Sequence, residues 1–126
     1  MSEGIVVGAV AGMGALGALA RWGLGKLVNQ AIPGALPFGT LAANALGCLL
    51  LGVVTGLSTA LLPAHLRVPV ATGFLGSFTT FSTFSVESVK LAEQGNLGLA
   101  AANVFGSLFV GLLFAAIGLS LGRAVS

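Results

Sequence analysis

Four long apolar segments separated by short polar turns leave few folds open to this chain. The segments cover residues 4–28, 38–59, 68–91 and 97–121, and each is long enough to cross a bilayer, which takes about 20 apolar residues. Charged residues make up 6% of the 126 residues, whereas soluble domains carry about 25%. We therefore expect one all-α membrane domain over residues 1–126, with four transmembrane helices, the first of them a true span rather than a cleaved signal peptide.

The third segment carries a high density of hydroxyls and aromatic rings. From Gly73 to Glu87 it reads GFLGSFTTFSTFSVE, with six hydroxyls within nine residues. On a helix, one face would carry Ser77, Thr80, Thr83, Phe84 and Glu87, and a neighbouring stripe would carry Phe74, Phe78, Phe81 and Phe84. Hydroxyls can bond back to carbonyls of the preceding turn while rings fill a core, but that explains only one or two of them. Polar groups inside a membrane mark functional sites, so this segment is the main candidate.

The same segment is expected to break near its middle. The stretch Gly73–Ser77 combines two glycines with a serine, and glycine costs a helix interior about 1 kcal/mol relative to alanine. Unwound backbone in a membrane is tolerated only where it is buried in protein or lines a cavity, and its freed carbonyls can coordinate a small cation. An unbroken helix with a close-packing patch is the alternative.

Two pairs of an asparagine with a hydroxyl lie in the second and fourth segments. Thr40 and Asn44 are one helical turn apart, and so are Asn103 and Ser107. Each asparagine can simply bond to a neighbouring helix, but two such pairs beside the hydroxyl-rich segment indicate a lined path. Amide N–H groups and hydroxyls donate hydrogen bonds to anions. Because carboxylates are scarce, this path suits a small anion.

The few charged residues leave two questions open. Arg21, near the end of the first segment, either snorkels to the interface or attracts anions from a vestibule. The side of the membrane that holds the termini would carry His65, Arg67 and Arg123, and the other side Arg21, Lys26 and Lys90. Because the positive-inside rule finds no firm bias here, the chain either inserts one way or inserts both ways and pairs antiparallel.

Small residues recur every four positions along three of the segments. The rows are Gly4, Gly8 and Gly12; Gly39, Ala43 and Gly47; Gly52 and Gly56; and Gly118 and Gly122. Such rows let helix backbones approach closely, within one chain or between copies. Since four short helices enclose little interior, we expect the chain to oligomerise.

Other kinds of chemistry have almost no support in the sequence. No nucleophile has a base nearby in the chain, no phosphate-binding loop is present, and no basic cluster suits nucleic acid. Cys48 is the only cysteine, so it forms no internal disulfide and is interpreted as a small buried apolar residue. The chain is therefore not expected to be an enzyme.

Three motifs resemble those of the Fluc (CrcB-like) fluoride channels. They are GMGALGALARW at Gly12–Trp22, GTLAANALG at Gly39–Gly47 and GFLGSFTTFSTFS at Gly73–Ser85, and the resemblance covers essentially the whole chain. It implies a passive fluoride-selective channel that exports fluoride across the inner (plasma) membrane. It also implies an antiparallel, dual-topology homodimer with two pores. The partners would be fluoride, a second copy of the chain and the lipid bilayer, with no nucleic acid.

The resemblance also implies roles for individual residues. Phe81 and Phe84 match aromatics whose ring edges face the anion, and such edges carry partial positive charge. Asn44 matches a pore asparagine, and Arg21 matches the arginine that ends the first motif. The matching polar track comprises Thr80, Thr83, Glu87 and Ser107, with Asn103 as a weaker candidate. Gly76 and Thr79 match the helix break whose backbone carbonyls hold a central structural Na⁺ between subunits.

Two functions of other classes remain possible on the residues alone. A small proton-coupled multidrug exporter also has four spans, but it needs a membrane carboxylate, typically early in the chain. The first segment has no acid after Glu3, which counts against an exporter. A helix-packing subunit of a larger complex would leave the hydroxyls and asparagines unexplained.

Overall fold

The computed structural model describes residues 1–126, and all of its regular structure is helical, as predicted. The elements are α1 (Glu3–Ala31), α2 (Phe38–Gly56), α3 (Ala64–Val68), a π-helix (Pro69–Leu75), α4 (Gly76–Phe78), α5 (Phe81–Glu93) and α6 (Leu97–Ala124). The short elements from α3 to α5 follow one another and together correspond to the third apolar segment.

Three of the helices are long and apolar enough to cross a membrane: α1, α2 and α6, with 29, 19 and 28 residues. The third segment does not reach that length as one helix, because its longest piece, α5, has 13 residues. A helix can cross a membrane because it satisfies its own backbone hydrogen bonds. A chain with three such helices crosses more than once, so the protein is a multi-pass membrane protein.

The turn between α5 and α6 is fixed by a glycine. Gly95 has a φ of +81°, a left-handed conformation that costs other residues energy. The N–H of Gly95 bonds to the carbonyl of Ala92, and the N–H of Asn96 bonds to the carbonyl of Leu91. This pair of bonds ends α5 with its last carbonyls satisfied and reverses the chain towards α6.

The end of α2 is capped from a distance by an arginine. Arg67 donates hydrogen bonds to the carbonyl oxygens of Val54, Leu57 and Leu62. These carbonyls lie at or just beyond the end of α2, where no helical N–H is left to bond them. Arg67 therefore ties the loop after α2 to the start of the third segment.

α2 and α6 pack with their backbones in contact. Gly52 and Gly56 face Gly118 and Gly122, as the small-residue rows predicted. A Cβ added to Gly52 would lie 2.6 Å from the carbonyl oxygen of Ala115. The two backbones therefore approach so closely that no side chain fits between them, which is how helices gain dispersion contacts in lipid. We call this contact the glycine seam.

α1 packs against the π-helix through a different set of glycines. A Cβ on Gly73 would lie 3.0 Å from the carbonyl oxygen of Val10, and a Cβ on Gly17 would strike the carbonyl of Phe74. The row predicted from the sequence of this helix comprises Gly4, Gly8 and Gly12. A Cβ added to any of these three would meet no atom of another element within 4 Å, so that row faces away from the rest of the chain.

The third segment leaves the helical conformation at Thr79 and Thr80. Their backbone angles are φ −94°, ψ 159° and φ −150°, ψ 124°, which are extended values. A break near the middle was predicted. The position inferred from composition, Gly73–Ser77, was wrong, because those residues stay helical, whereas Thr79, which the resemblance assigned to the break, lies in it. Glycine content alone does not unwind this segment, because the break lies where a side chain from α2 takes over the backbone hydrogen bonds.

Candidate functional site

Asn44 of α2 holds the break in the third segment. Its side-chain Nδ2 donates to the carbonyl oxygen of Thr80 at 2.9 Å, and its Oδ1 accepts from the N–H of Thr80 at 2.8 Å. One amide side chain thus satisfies both backbone groups of a residue that has left the helix. An unpaired backbone group in a membrane costs several kcal/mol, so this pair of hydrogen bonds stabilises the extended conformation.

Thr80 begins the helix that follows the break. Its hydroxyl oxygen accepts from the N–H of Thr83 at 3.2 Å, the usual contact of an N-cap residue. The hydroxyl of Thr79 turns back and donates to the carbonyl of Leu75 at 3.1 Å. The two neighbouring threonines therefore satisfy opposite sides of the break, one closing the helix before it and one opening the helix after it.

Arg21 of α1 lies against the same break. Its Nε donates to the carbonyl oxygen of Ser77 at 3.0 Å, and the side chain is only partly exposed. Ser77 is in the last turn of α4, where carbonyls lack helical partners. Arg21 thus has a hydrogen-bond partner within the chain and lines the cavity described next.

A polar cavity of about 400 Å³ opens beside the break. It is lined by Ala18, Arg21, Trp22, Gly25, Lys26, Asn29, Gly39, Thr40, Thr80, Thr83 and Glu87. Two cationic side chains and three threonines thus meet around one space that α1, α2 and α5 enclose. The stripe predicted on the third segment is partly assembled here, since Thr80, Thr83 and Glu87 share the cavity.

Glu87 is the carboxylate of this cavity. Its Oε1 is buried and has no hydrogen-bond partner. A buried carboxylate oxygen without a donor is costly, and such groups in membranes are commonly functional. The side chain therefore has an acceptor free for a ligand that brings a proton or a hydrogen-bond donor, such as water.

Phe81 and Phe84 lie just after the break, Phe81 exposed and Phe84 half-buried. The Phe81 side chain is 80% exposed, and its ring centroid is 5.8 Å from that of Phe84, with the planes tilted by 48°. Phe74 and Phe78 form a separate pair, with rings stacked at 5.8 Å, and Phe78 is buried. The predicted aromatic stripe is therefore split by the break into an inner pair and an outer pair.

Ser107 and Asn103 lie in a second, smaller cavity between α2 and α6. It measures about 90 Å³ and is lined by Leu36, Pro37, Phe38, Leu41, Ala102, Asn103, Gly106, Ser107 and Val110. No residue of the polar cavity lines it. Within one chain, the predicted polar path is therefore divided between two separate spaces.

Gly76 and Thr79 present free carbonyl oxygens. Neither carbonyl accepts a hydrogen bond, because the N–H of Thr80, which would reach Gly76 in a helix, bonds to Asn44 instead, and the N–H of Thr83 bonds to the Thr80 hydroxyl. Gly76 is exposed. Uncommitted carbonyls from unwound membrane helices are suitable oxygen ligands for Na⁺, so these residues fit such an ion.

Some polar contacts of the site could not be found from the sequence. Ser88 accepts a hydrogen bond from Asn103 at 2.9 Å, and Asn29 accepts one from the N–H of Gly39 at 2.9 Å. Lys26 Nζ lies 4.5 Å from the centre of the Trp22 ring, a cation–π distance. The only signal for Ser88 was that the buried Asn103 needed a partner, and nothing in the spacing identified which residue that would be.

The fold and the site define a class of protein: a small, multi-pass helical membrane protein whose third segment is broken beside a polar cavity. A family model described as CrcB-like protein, Camphor Resistance (CrcB), matches residues 8–119. Because that match covers most of the 126 residues, the chain belongs to the CrcB-like family.

Several relatives align over most of their length. The fluoride-specific ion channel FluC of Syntrophotalea carbinolica is 47% identical over 116 residues, which are 90% of this chain and 94% of the relative. FluC of Nitratidesulfovibrio vulgaris is 48% identical over 114 residues, 89% of this chain and 92% of the relative. FluC 2 of Symbiobacterium thermophilum is 52% identical over 105 residues, 82% and 85% of the two chains.

Proposed function

We propose that this protein is a passive, fluoride-selective ion channel of the plasma membrane and not an enzyme. The observation that carries this proposal is the break in the third segment, which Asn44 holds open beside a polar cavity with two cationic side chains. Relatives named as fluoride-specific channels, at 47–52% identity, support the choice of ion. A cell interior at negative potential drives anions outward, by about 2.3 kcal/mol per 100 mV, so the passive direction is export.

The donors around the break suit a small, strongly hydrated anion. Dehydrating such an ion is costly unless other donors replace the lost water. The side-chain NH₂ group of Asn44 donates one hydrogen bond to Thr80, and its second N–H is free to donate to an ion. The Thr80 hydroxyl accepts from the N–H of Thr83 with its oxygen and lies 3.5 Å from the Ser82 hydroxyl, where either group can donate. The Thr80 proton is available to an ion when Ser82 is the donor of that contact. The Thr83 hydroxyl donates to no protein group. These neutral donors can bind an ion without holding it as tightly as a lysine contact would.

The outer aromatic pair supplies a second kind of contact. Ring edges carry partial positive charge, and the Phe81 side chain is 80% exposed. An anion leaving the polar cavity can be received by such edges without a formal charge that would trap it. In this proposal the pore is lined by Asn44, Thr80, Thr83, Phe81, Phe84, Ser107, Glu87 and Arg21, with Asn103 as a weaker candidate.

We infer that the working unit is an antiparallel homodimer with two pores. One chain divides its polar path between two cavities and exposes the Phe81 ring to its surroundings. A second copy in the opposite orientation can cover Phe81 and join the two halves of the path. The nearly balanced loop charges of the sequence agree with insertion in both orientations.

A structural Na⁺ fits the centre of such a dimer. The carbonyls of Gly76 and Thr79 would hold it, and both are free of hydrogen bonds. When bound, the cation would neutralise carbonyl dipoles that otherwise face one another across the subunits. Within each chain, Asn44 keeps the Gly76 carbonyl free by occupying the N–H of Thr80, and the Thr80 hydroxyl keeps the Thr79 carbonyl free by accepting from the N–H of Thr83.

A proton-coupled multidrug exporter is not favoured. The first helix has its only acid, Glu3, in its first turn, and Glu87 shares its cavity with Arg21 and Lys26. Two cations beside the only membrane carboxylate repel a cationic drug.

Ion efflux from liposomes tests the proposed function directly. Purified protein in vesicles loaded with equal fluoride and chloride should release fluoride, followed with a fluoride electrode, once a potassium ionophore is added. Chloride should be retained in the same vesicles, because it is larger and a poorer hydrogen-bond acceptor. Equal loss of both ions, or retention of fluoride, would contradict the proposal.

The orientation of the chain tests the proposed assembly separately. A cysteine added at either terminus, in a Cys48→Ala background, should be labelled by a membrane-impermeant reagent in about half of the molecules, since the loop charges give no firm preference. Complete labelling, or none, would mean a single orientation and would rule out the antiparallel dimer.

A further inference from the structure

A buried hydrogen-bonded chain connects α6 to the backbone of the outer aromatic pair. Asn103 Nδ2 donates to Ser88 Oγ at 2.9 Å, and Ser88 Oγ donates to the carbonyl oxygen of Phe84 at 2.8 Å. Asn103 and Ser88 are 6% and 8% exposed, and they are the only buried polar side chains of the structure. This pair therefore joins two helices at the turn of α5 that carries Phe84.

The direction of each bond follows from the chemistry of the groups. A carbonyl oxygen only accepts, so Ser88 must spend its single proton on Phe84. The Ser88 oxygen can then only accept, and Asn103 must turn its NH₂ group towards it. One N–H of Asn103 is thus committed to Ser88, which fixes the orientation of the amide group.

We propose that Asn103 and Ser88 are a positioning pair that sets the place of Phe84 in the pore, so that Asn103 acts on conduction through this link. The inference rests on the proposed function, in which Phe84 presents its ring edge to fluoride. α5 has 13 residues and begins at a break, so its first turns have no helix before them to hold their position. The pair ties the carbonyl of Phe84 to the long helix α6 and thereby limits how far the ring can rotate or shift.

A neighbouring serine provides a matched control. Ser85 donates to the carbonyl oxygen of Phe81 at 2.8 Å, with the same four-residue offset. It receives no hydrogen bond from another helix. Ser85→Ala therefore removes the same local bond without removing a link between helices.

The test is a double-mutant cycle with Ser88→Ala, Asn103→Leu and both changes together, measured as fluoride efflux per assembled dimer. Each single change should lower fluoride efflux about tenfold and should lower the ratio of fluoride to chloride efflux. Ser85→Ala should stay close to the wild type. Because the two residues act as one link, the double variant should be no worse than the poorer single variant. Ser88→Thr, which keeps the hydroxyl, should restore both efflux and selectivity.

Several results would overturn this inference. If Asn103→Leu lowered efflux by the same factor with or without Ser88→Ala, Asn103 would act independently, as an ion contact does. If Ser88→Ala had wild-type efflux and selectivity, the link would not position the ring. Should Ser88→Ala fail to assemble, Ser88→Cys keeps the volume and weakens the bond, and wild-type efflux in that variant would also count against the proposal.

A second measurement keeps this test separate from that of the proposed function. Melting temperatures of the same four proteins in detergent report the link without any fluoride. Non-additive losses of melting temperature would support a coupled pair even if the wild type passed no fluoride, in which case only the proposed function would fail. Additive losses would mean that Ser88 and Asn103 are not coupled.

Discussion

The glycine seam and the broken third segment hold the chain together by opposite means. Along the seam, Gly52 and Gly56 meet Gly118 and Gly122 backbone to backbone, and no polar side chain takes part. At the break, backbone groups are satisfied by side chains from other helices, namely Asn44 and Arg21. The seam is regular helix on both sides, whereas the break exposes carbonyls, hydroxyls and a phenylalanine ring.

This contrast predicts which substitutions change the stability of the protein and which change its transport of ions. A seam made of backbone contacts is stabilised by packing alone, so its substitutions should change stability and little else. A break held by specific hydrogen bonds has unused donors and acceptors next to a cavity, so its substitutions should change transport. Four substitutions distinguish the two regions and differ in the size of their expected effect on transport.

The largest effect is expected at Asn44. In Asn44→Asp, the bond from the Thr80 N–H can remain, but the donor to the Thr80 carbonyl is lost and two oxygens face each other. The new negative charge also lies in the proposed path of an anion. Fluoride efflux should fall to the background of empty vesicles, while sizing chromatography still shows a dimer.

Asn29 supplies a comparison for the stability of Asn44→Asp. Its Oδ1 accepts from Gly39 and its amide N–H groups bond to no protein group, so Asn29→Asp keeps the one bond that the side chain makes. The melting temperature should fall for Asn44→Asp and stay near the wild type for Asn29→Asp. Unchanged fluoride efflux in Asn44→Asp would remove that residue from the pore.

The second effect concerns the outer aromatic pair. Phe81→Ile and Phe84→Ile keep most of the bulk but lack a polarised ring edge, so each should suppress fluoride efflux while the dimer still forms. Phe81 is 80% exposed in the single chain, so the fold of the chain does not depend on it. Phe109→Ile makes the same change at an exposed ring of α6 and should leave efflux unchanged. Normal efflux in both pore variants would show that the rings do not contact the ion.

The third effect is expected at Gly17, where a substitution would displace the backbone of the π-helix and, with it, the break. In Gly17→Ala, the new Cβ would strike the carbonyl of Phe74, and overpacking of this kind costs about 1–3 kcal/mol. The π-helix must move away from α1 and carry the break with it, so efflux per dimer should fall roughly tenfold, the equivalent of about 1.4 kcal/mol.

A nearby glycine distinguishes this displacement from a general effect of alanine. Gly12 has no neighbour within 4 Å, so Gly12→Ala should keep wild-type efflux and should not lower the melting temperature. Equal losses of efflux at both positions would mean that displacement of the π-helix is not the cause.

The fourth and smallest effect on transport is expected at the seam. In Gly118→Ala, the new Cβ would strike the carbonyl of Leu49, so the melting temperature should fall as the two helices separate. Gly106→Ala on the same helix meets nothing within 4 Å and should be neutral or slightly stabilising, by up to about 1 kcal/mol from helix propensity. A larger loss of stability in Gly106→Ala than in Gly118→Ala would contradict the packing described for the seam.

The seam was predictable from the sequence, because spacing by four residues places glycines on one helix face. The row Gly4, Gly8 and Gly12 obeys the same rule, and yet it contacts nothing in the chain. Periodicity identifies a face that permits close approach but does not identify what approaches it. Gly17, the α1 glycine at which an added Cβ would be most obstructed, belongs to no predicted row.

Local composition predicted that the third segment breaks but not where, whereas the motif resemblance assigned Thr79 to the break. Clustered glycine and hydroxyl residues indicated unwinding, and the structure unwinds at Thr79 and Thr80 instead of at Gly73–Ser77. The deciding contact joins Asn44 to Thr80, 36 positions apart. Local propensity cannot reveal a partner at that distance, and neither could it show that Asn103 is bonded to Ser88. The motif resemblance identified Asn44 as important, while the structure supplies its bonding role.

Fluoride efflux per assembled dimer, measured side by side for Asn44→Asp and Gly118→Ala, tests most directly whether conduction depends on the break and not on the seam. The dimer content of each preparation is taken from sizing chromatography, so that lost assembly is not counted as lost conduction. Gly118→Ala is expected to give less dimer but wild-type efflux from each one, and Asn44→Asp is expected to give dimers that pass no fluoride. Wild-type efflux from Asn44→Asp dimers together with silent Gly118→Ala dimers would contradict the assignment of the pore to the broken segment.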